Sequence, residues 1–227
     1  MQRRLQFGKR LFDLAIAVPA IILLSPLIAL GAILVAISLG SPVLFRQKRP
    51  GLLGRPFILV KFRTMTNARD ENGELKSDAE RVTPIGVFLR TTSLDELPQL
   101  WNVFRGEMSL VGPRPLLIEY LPHYTPEQNR RHSVPPGITG WAQINGRNVL
   151  LFSERLKLDV WYVDHWSLWL DIKILVRTFF KVLRSSGVKV AARVDEADDL
   201  GLHPETRKAL KIQSPGSNRT DDVHVVR

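Results

Sequence analysis

The chain has 227 residues, with 32 Lys and Arg against 22 Asp and Glu, so its net charge is +10. This length suits one domain plus a membrane segment, and the absence of cysteine excludes a disulfide framework and a thiolate metal site. The seven basic and seven acidic residues of 188–227 cancel, so the excess charge belongs to residues 1–187. A basic body suits an anionic lipid surface and phosphate-bearing substrates. Nucleic acid is the competing partner, and it is disfavoured because the basic residues cluster around an apolar segment.

That apolar segment runs from Leu14 to Leu39 and carries Ser25-Pro26 at its centre. As a helix, its 26 residues would span roughly 39 Å, enough to cross a bilayer. Basic residues flank both ends, whereas a spanning helix should have its Lys and Arg excess on one side. A re-entrant helix–break–helix that enters and leaves by the cytoplasmic face satisfies both flanks, with the membrane break at Ser25 and Pro26. A straight or kinked transmembrane anchor is the open alternative. A cleaved signal peptide is disfavoured because the apolar run is too long.

Three regions follow from this pattern. Residues 1–40 are predicted to form a basic amphipathic lead-in and the re-entrant helix, residues 41–187 a cytoplasmic catalytic domain, and residues 188–227 a charged, mobile tail. Within the domain, apolar runs at 43–45 and 57–60, separated by Pro and Gly, predict a β-hairpin.

The rest of the domain is predicted to be mainly helical. A helix is expected from Leu94 to a stop at Gly106, a polar loop at 67–80, and Pro- and Gly-rich functional loops over 111–146. Residues 154–184 predict two helices, the second capped by Ser167. Three Trp residues there favour contact with the membrane interface, with core packing as the alternative. The fold class is therefore α+β, mainly helical, with interfacial amphipathic helices and a small hairpin.

The adjacent carboxylates Asp95 and Glu96 are the candidate catalytic pair. Ser93-x-x-Glu96 is also a capping-box pattern, in which both carboxylates would only support a helix start. Pro98 conflicts with that register because its ring would crowd the carbonyl of Leu94. A helix that starts at Pro98 instead leaves both carboxylates free to act.

Basic residues in fixed positions accompany this pair. Arginine in a rigid loop offers bidentate donors to phosphate oxygens, although each such residue, taken singly, is more often a solvated surface charge. Carboxylates together with several fixed cations suit metal-assisted phosphoryl transfer, in which a carboxylate can attack phosphorus. The cations are Lys61 and Arg63 after the second strand, Arg90 before the pair, Arg114 between Pro113 and Pro115, and Arg147 after a glycine.

At these residues the chain resembles the bacterial sugar transferases, or monotopic phosphoglycosyl transferases, and it is most similar to their small single-domain type. The resemblance covers residues 7 to about 187. It rests on several motifs in the right order: Lys9-Arg10-Leu11-Phe12-Asp13, Ser25-Pro26, Arg49-Pro50-Gly51, Lys61-Phe62-Arg63-Thr64-Met65, Ser93 to Val103, Met108 to Pro115, Pro136 to Gln143, and Asn145-Gly146-Arg147.

The resemblance implies an enzyme at the cytoplasmic face of the bacterial inner membrane. It would move a sugar 1-phosphate from a UDP-sugar to a polyprenol (undecaprenyl) phosphate, the first membrane step of glycan biosynthesis. Asp95 would be the nucleophile that releases UMP, with Glu96 as its partner and Mg²⁺ at the pair. The predicted substrate-binding residues are Lys61, Arg63, Arg90, Pro113, Arg114, Pro115, Gln143 and Arg147.

Two other functions stay open at this point. A membrane-anchored phosphohydrolase would use the same carboxylates and metal with water as acceptor. A non-catalytic scaffold would dock on anionic lipid and would not need Asp95 or Glu96. The sugar, the prenol length and the oligomeric state, with a homodimer as one option, are not determined by the sequence.

Overall fold

The computed structural model describes residues 3–146, 150–183, 198–202 and residue 206. The predicted mainly helical α+β fold with a small hairpin is confirmed. Short 3₁₀ turns lie at Leu52–Gly54, Leu94–Glu96, Ile118–His123 and Arg130–Ser133. The elements are α1 (Arg3–Leu39), β1 (Leu44–Pro50), β2 (Pro56–Phe62), α2 (Asp78–Arg81), α3 (Pro84–Thr91), α4 (Gln99–Arg105), β3 (Ser109–Val111), α5 (Pro126–Asn129), β4 (Gly137–Thr139), α6 (Trp141–Asn145), α7 (Phe152–Asp164) and α8 (Leu168–Leu183).

Helix α1 contains the predicted membrane segment and has Pro19 and Pro26 inside it. It is one continuous helix from Arg3 to Leu39, so the prediction of an interruption at Ser25 and Pro26 is wrong as a break in secondary structure. Pro26 has no N–H to offer the carbonyl of Ile22, four residues earlier. The Ser25 hydroxyl donates to that carbonyl at 2.8 Å, so the group that Pro26 leaves without its helical partner is satisfied locally. By length and composition, Phe7–Leu39 is apolar enough to cross a membrane, and little of it is buried.

Both ends of α1 are attached to the body formed by the later elements. Near the N-terminal end, Lys9 Nζ donates to Asp171 Oδ2 at 2.5 Å, and both side chains are buried. At the C-terminal end, the Arg63 guanidinium donates to the carbonyls of Leu39, Gly40 and Ser41. The two ends of the apolar segment are therefore held by one body.

The hairpin and α4 together hold the candidate catalytic turn. Strands β1 and β2 pair antiparallel from Leu44↔Phe62 to Pro50↔Pro56, which extends both predicted strands. Asn102 of α4 is buried, accepts from Val60 N at 3.1 Å and donates to Ile58 O at 2.7 Å. These bonds tie α4 to β2 just after the turn that carries Asp95 and Glu96.

Strands β3 and β4 form a parallel pair that sets the position of the Pro113–Pro115 loop. Gly112 N donates to Thr139 O at 2.9 Å, and Gly137 N donates to Pro113 O at 3.0 Å. A Cβ at Gly137 would lie 2.1 Å from the backbone N of Gly112. The close approach of the two strands therefore requires glycine at this position.

The predicted pair of C-terminal helices is confirmed as α7 and α8. Ser167 Oγ accepts from Leu170 N at 3.1 Å, which is the predicted N-cap. The three Trp residues differ in exposure, and contact with the membrane interface stays a prediction. Trp161 is 37% exposed and stacks on Trp141, with ring centroids 4.7 Å apart. Trp166 is partly buried and donates to Asp171 at 3.1 Å, whereas Trp169 is 75% exposed. Most of the predicted tail, 188–227, lies outside the described residues.

Replacing Gly137 with Ala should destabilise the protein, because the added Cβ meets backbone that cannot move aside cheaply. Overpacking of this kind costs typically about 1–3 kcal/mol. Gly8→Ala is the matched control, since no atom of the described residues lies within 4 Å of a Cβ built there. Thermal unfolding in detergent measures both. A Gly137→Ala protein that melts like the wild type would contradict the packing argument.

His132 makes the stability depend on pH. The side chain is buried, and burial, followed by the charge of Arg131, lowers its pKa to about 4. An unfolded histidine has a pKa of about 6.5, so on acidification the unfolded state takes up this proton first. The stability contributed by the neutral ring is therefore present above about pH 6.5 and is lost as the pH falls towards 4.

Lowering the pH from 7.5 to 5 should cost about 2 kcal/mol of the free energy of unfolding through His132 alone. His132→Gln should remove this part of the pH dependence, whatever its effect at pH 7.5. His123→Gln replaces an exposed histidine nearby and is the control. Denaturant titrations at the two pH values measure the difference. Equal pH dependence in wild type and His132→Gln would show that His132 is not the group responsible.

Candidate active site

Asp95 and Glu96 lie in the 3₁₀ turn Leu94–Glu96, between α3 and α4. Within the part of the chain that the structure describes, the Ser93 side chain makes no capping hydrogen bond. Helix α4 begins at Gln99, after Pro98. The capping-box interpretation is therefore wrong, and the carboxylates lie outside α4, as the position of Pro98 favoured.

Asp95 is a desolvated carboxylate. Its side chain is buried, and burial, together with the negative charge of Glu96, raises its pKa to about 6. The charges of Lys61, Arg114 and Arg90 oppose this shift. Asp95 is thus mostly ionised at neutral pH, yet it is poorly solvated, which favours reaction at an electrophile or binding of a cation.

Glu96 has a different environment from its neighbour. Arg114 Nη2 donates to Glu96 Oε1 at 2.5 Å, and the two side chains are 44% and 19% exposed. The charge of Glu96 raises the pKa of Arg114. This ion pair brings the Arg114 guanidinium to the carboxylate pair while leaving part of it accessible to a ligand.

Lys61 and Arg90 bring positive charge to Asp95 from two further elements. Lys61, on β2, lies over the Phe45 ring of the facing strand, with Nζ 5.2 Å from the ring centroid. Arg90, on α3, donates from Nε to Thr64 Oγ1 at 3.0 Å. Burial lowers the pKa of both cations, and the charge of Asp95 opposes the lowering. The positive charges of three predicted cations, Lys61, Arg90 and Arg114, therefore favour the ionised form of Asp95.

Arg63 is not among them. Its guanidinium donates to the last carbonyl of α1, at Leu39, and to the two carbonyls that follow it, so its contacts are those of a side chain that caps the C-terminal end of a helix. Arg63 directly follows the last residue of β2, where the chain passes the end of α1. The prediction that Arg63 binds substrate has no support in these contacts.

Three more of the predicted site residues lie in the described ranges: Pro113 and Pro115, in the loop after β3, and Gln143. Pro113 and Pro115 line a narrow crevice together with Pro50 and Arg131. Gln143 lies in α6, and both polar atoms of its amide are buried without a hydrogen-bond partner among the described residues. A buried amide without partners is costly, so this position suits a polar ligand. Arg147 lies outside the described residues.

Two arginines near Arg114 were not predicted as site residues. Burial and the nearby charge of Arg114 lower the pKa of Arg49 to about 10, and its Nε is buried with no partner in the described ranges. Arg131 forms a buried ion pair with Asp159. The motif Arg49-Pro50-Gly51, noted in the sequence, could have identified Arg49 as a site residue. Nothing in the local sequence distinguishes Arg131 from its exposed neighbour Arg130.

The carboxylate pair is the best candidate for a metal site in the described ranges. Those ranges contain no group of three or more His, Cys, Asp or Glu residues that could hold a metal ion. Mg²⁺ typically takes only one or two carboxylates and completes its shell with water and substrate phosphates. Asp95 and Glu96 therefore fit a Mg²⁺ site that a phosphate-bearing substrate completes.

Comparison with known proteins places the chain among bacterial sugar transferases. A model of the family described as "Bacterial sugar transferase" matches residues 4–185. "Uncharacterized sugar transferase EpsL" of Bacillus subtilis (strain 168) is 56% identical over 181 residues, covering 80% of this chain and 90% of that protein. The UDP-glucose:undecaprenyl-phosphate glucose-1-phosphate transferase of Caulobacter vibrioides is 42% identical over 180 residues, covering 75% of this chain and 67% of that protein.

Some relatives are much longer than the matched region. The Escherichia coli (strain K12) protein with the same transferase name is 43% identical over 185 residues, and the match covers 76% of this chain but 39% of that protein. The family match over residues 4–185 contains the hairpin, the carboxylate turn and the Pro113–Pro115 loop. The chain belongs to the bacterial sugar transferase family.

Proposed function

We propose that the protein transfers a sugar 1-phosphate from a UDP-sugar to undecaprenyl phosphate at the cytoplasmic face of the bacterial inner membrane. The observation that carries this proposal is the desolvated Asp95 beside Glu96, with Arg114 bound to Glu96 and the charges of Lys61, Arg90 and Arg114 lowering the pKa of Asp95 against the effect of burial. Three cations around one buried carboxylate suit a polyanionic diphosphate donor. The relatives' names supply the donor and acceptor classes.

In this mechanism Asp95 attacks the β-phosphorus of the donor. A bond forms between a carboxylate oxygen and phosphorus, and the bond from the β-phosphorus to the bridging oxygen breaks. UMP leaves with that electron pair. A phosphate oxygen of the polyprenol phosphate then attacks the same phosphorus and displaces the Asp95 carboxylate. The product is a polyprenol diphosphate sugar, and Asp95 is regenerated.

Each neighbouring group has a role that its environment supports. Arg114, held by Glu96 but still 44% exposed, binds the donor diphosphate and stabilises charge on the phosphoryl oxygens. Lys61 and Arg90 keep Asp95 ionised by opposing the effect of burial on its pKa. Mg²⁺, held by Asp95 and Glu96, would supply further neutralisation of the diphosphate.

The outer surface supports a place at the membrane interface. Beyond the exposed apolar side of α1, helix α8 exposes a row of large apolar residues, and Trp101 and Phe104 of α4 stack at 5.3 Å on the surface. The exposed residues of α8 include Trp169, Ile172, Val176, Phe179, Phe180 and Leu183. We infer that these faces contact lipid, which brings the site to the depth of a lipid-borne phosphate.

The attachments of α1 support a re-entrant path. Lys9 and Leu39 are 30 residues apart, about 45 Å along a straight helix, yet both contact the body that carries the site. A transmembrane span would place its two ends on opposite sides of the bilayer. We infer that the segment enters and leaves by the cytoplasmic face, with its turn at Ser25-Pro26.

Asp95→Asn should abolish the exchange of labelled UMP into UDP-glucose or UDP-galactose in the absence of any lipid acceptor. The variant keeps the shape of the side chain but cannot act as a carboxylate nucleophile, so we expect a loss of at least about a thousandfold. Chelating divalent cations should abolish the exchange, and added Mg²⁺ should restore it. Asp70→Asn, an exposed loop carboxylate, is the matched control.

The possible results separate the mechanisms. Near-normal turnover by Asp95→Asn would remove Asp95 from the chemistry. Turnover that needs Asp95 but shows no exchange without acceptor would mean that the prenyl phosphate attacks the donor directly. Release of sugar phosphate into water without an acceptor would identify a hydrolase.

Single cysteines at Gln2 and Ser41 should both be inaccessible to a membrane-impermeant thiol reagent in intact cells, and both should react after lysis. The native chain has no cysteine, so the background is clean. The physical reason is that the basic flanks and the attachments of both helix ends favour the cytoplasmic side. Labelling of either position from outside would contradict the re-entrant path.

A further inference from the structure

The ion pair between Arg131 and Asp159 lies in the interior, with side chains 1% and 2% exposed. Arg131 belongs to the turn Arg130–Ser133, and Asp159 lies in α7. Two nitrogens of Arg131 donate to Asp159 Oδ2, Nε at 3.0 Å and Nη2 at 2.6 Å. A buried ion pair gains little net stability, because desolvation cancels most of the attraction. Apolar side chains of similar volume would pack the same space at least as well, so stability alone does not account for the pair.

A third contact distinguishes Arg131 from a simple packing element. Its Nη2 also donates to the main-chain carbonyl of Arg114, at 2.7 Å. The residues on either side of Arg114 are prolines, which have no N–H to donate. The loop is therefore held through its carbonyl oxygens, by Gly137 N on Pro113 O at 3.0 Å and by Arg131 on Arg114 O.

The contacts form a continuous chain from α7 to the carboxylate pair. Asp159 orients the Arg131 guanidinium, Arg131 holds the Arg114 carbonyl, and the Arg114 side chain reaches Glu96 at 2.5 Å. A charged donor makes a stronger and more directional hydrogen bond to this carbonyl than a neutral one would. The second link fixes the main chain from which the Arg114 guanidinium extends.

We propose that Arg131 and Asp159 are positioning residues that act through Arg114, holding its guanidinium in place for the donor diphosphate. This inference rests on the proposed function in that it takes Arg114 as a donor-binding residue. Neither Arg131 nor Asp159 touches the substrate. Their effect on the reaction should therefore disappear when the Arg114 side chain can no longer bind the donor.

A double-mutant cycle on the full chain in detergent tests this dependence. Removing one charge would strand the other in the interior, so the first variant replaces both, as Arg131→Met with Asp159→Leu. The second, Arg131→Lys, keeps the charge, but its single ammonium lacks the planar fork that serves both acceptors. Each is combined with Arg114→Gln. The measurement is the KM and kcat of UMP exchange for the UDP-sugar donor, with thermal unfolding recorded separately.

When Arg114 is unchanged, the double replacement Arg131→Met with Asp159→Leu should raise the donor KM roughly ten- to a hundredfold, the loss expected for a charge-assisted hydrogen bond. Arg131→Lys should show a smaller change in the same direction. In the Arg114→Gln background, both should change KM by less than about twofold. Arg130→Gln is the matched control, because Arg130 also joins this turn to α7, through an ion pair with Asp164 in which both side chains are exposed.

The outcomes separate this inference from the proposed function. If Arg114→Gln alone leaves the exchange unchanged, Arg114 is not a donor-binding residue and that part of the proposed function is wrong. In the other case, Arg114→Gln impairs exchange while the Arg131 variants either leave the donor KM unchanged or raise it by the same factor with and without Arg114→Gln. Either result overturns positioning through Arg114 and leaves the proposed function in place. Should the Met/Leu variant fail to fold, Arg131→Lys decides the same question.

Discussion

The buried charges that attach α1 to the catalytic body are the constraint on which the rest of the structure depends. Asp171 accepts hydrogen bonds from Lys9 at 2.5 Å, Tyr162 at 2.7 Å and Trp166 at 3.1 Å, so its buried carboxylate is fully paired. Breaking such a network by removing one member strands the others in a low-dielectric interior. The first turns of the membrane helix therefore cannot separate from α7 and α8 without a large free-energy cost.

This attachment also reaches the site. Asp13 of α1 accepts from Ser109 Oγ at 3.0 Å and from Leu110 N at 3.1 Å, both on β3. Strand β3 leads directly into the loop that carries Arg114. Helix α1 and the strand that leads into the Arg114 loop thus share buried hydrogen bonds. In the proposed function, a site that joins a soluble nucleotide sugar to a lipid phosphate needs this fixed relation between membrane depth and catalytic geometry.

The sequence predicts much of this because several signals are local. Pro98 conflicts with the capping box, although only the structure excludes it, and the prolines beside Arg114 indicate a rigid loop. The sequence cannot show which way a side chain points at the end of an element. Lys61 lies in β2 and Arg63 directly follows it, but the Arg63 side chain caps α1. The reason is that the C-terminal end of α1 lies next to the end of β2 in the fold. Likewise, Arg131 and Asp159 are 28 residues apart, and their contact depends on how the turn docks on α7.

The two adjacent carboxylates show why burial and partners matter more than residue type. Asp95 is desolvated and has a raised pKa, whereas Glu96 is bound directly by Arg114. In the proposed mechanism the two carboxylates therefore have different roles: Asp95 reacts, and Glu96 holds the Arg114 guanidinium in place. The arrangement also limits the repulsion between the two negative charges, because Arg114 neutralises Glu96. In the proposed mechanism, Asp95 can then act as an ionised nucleophile in a poorly solvated position beside another acid.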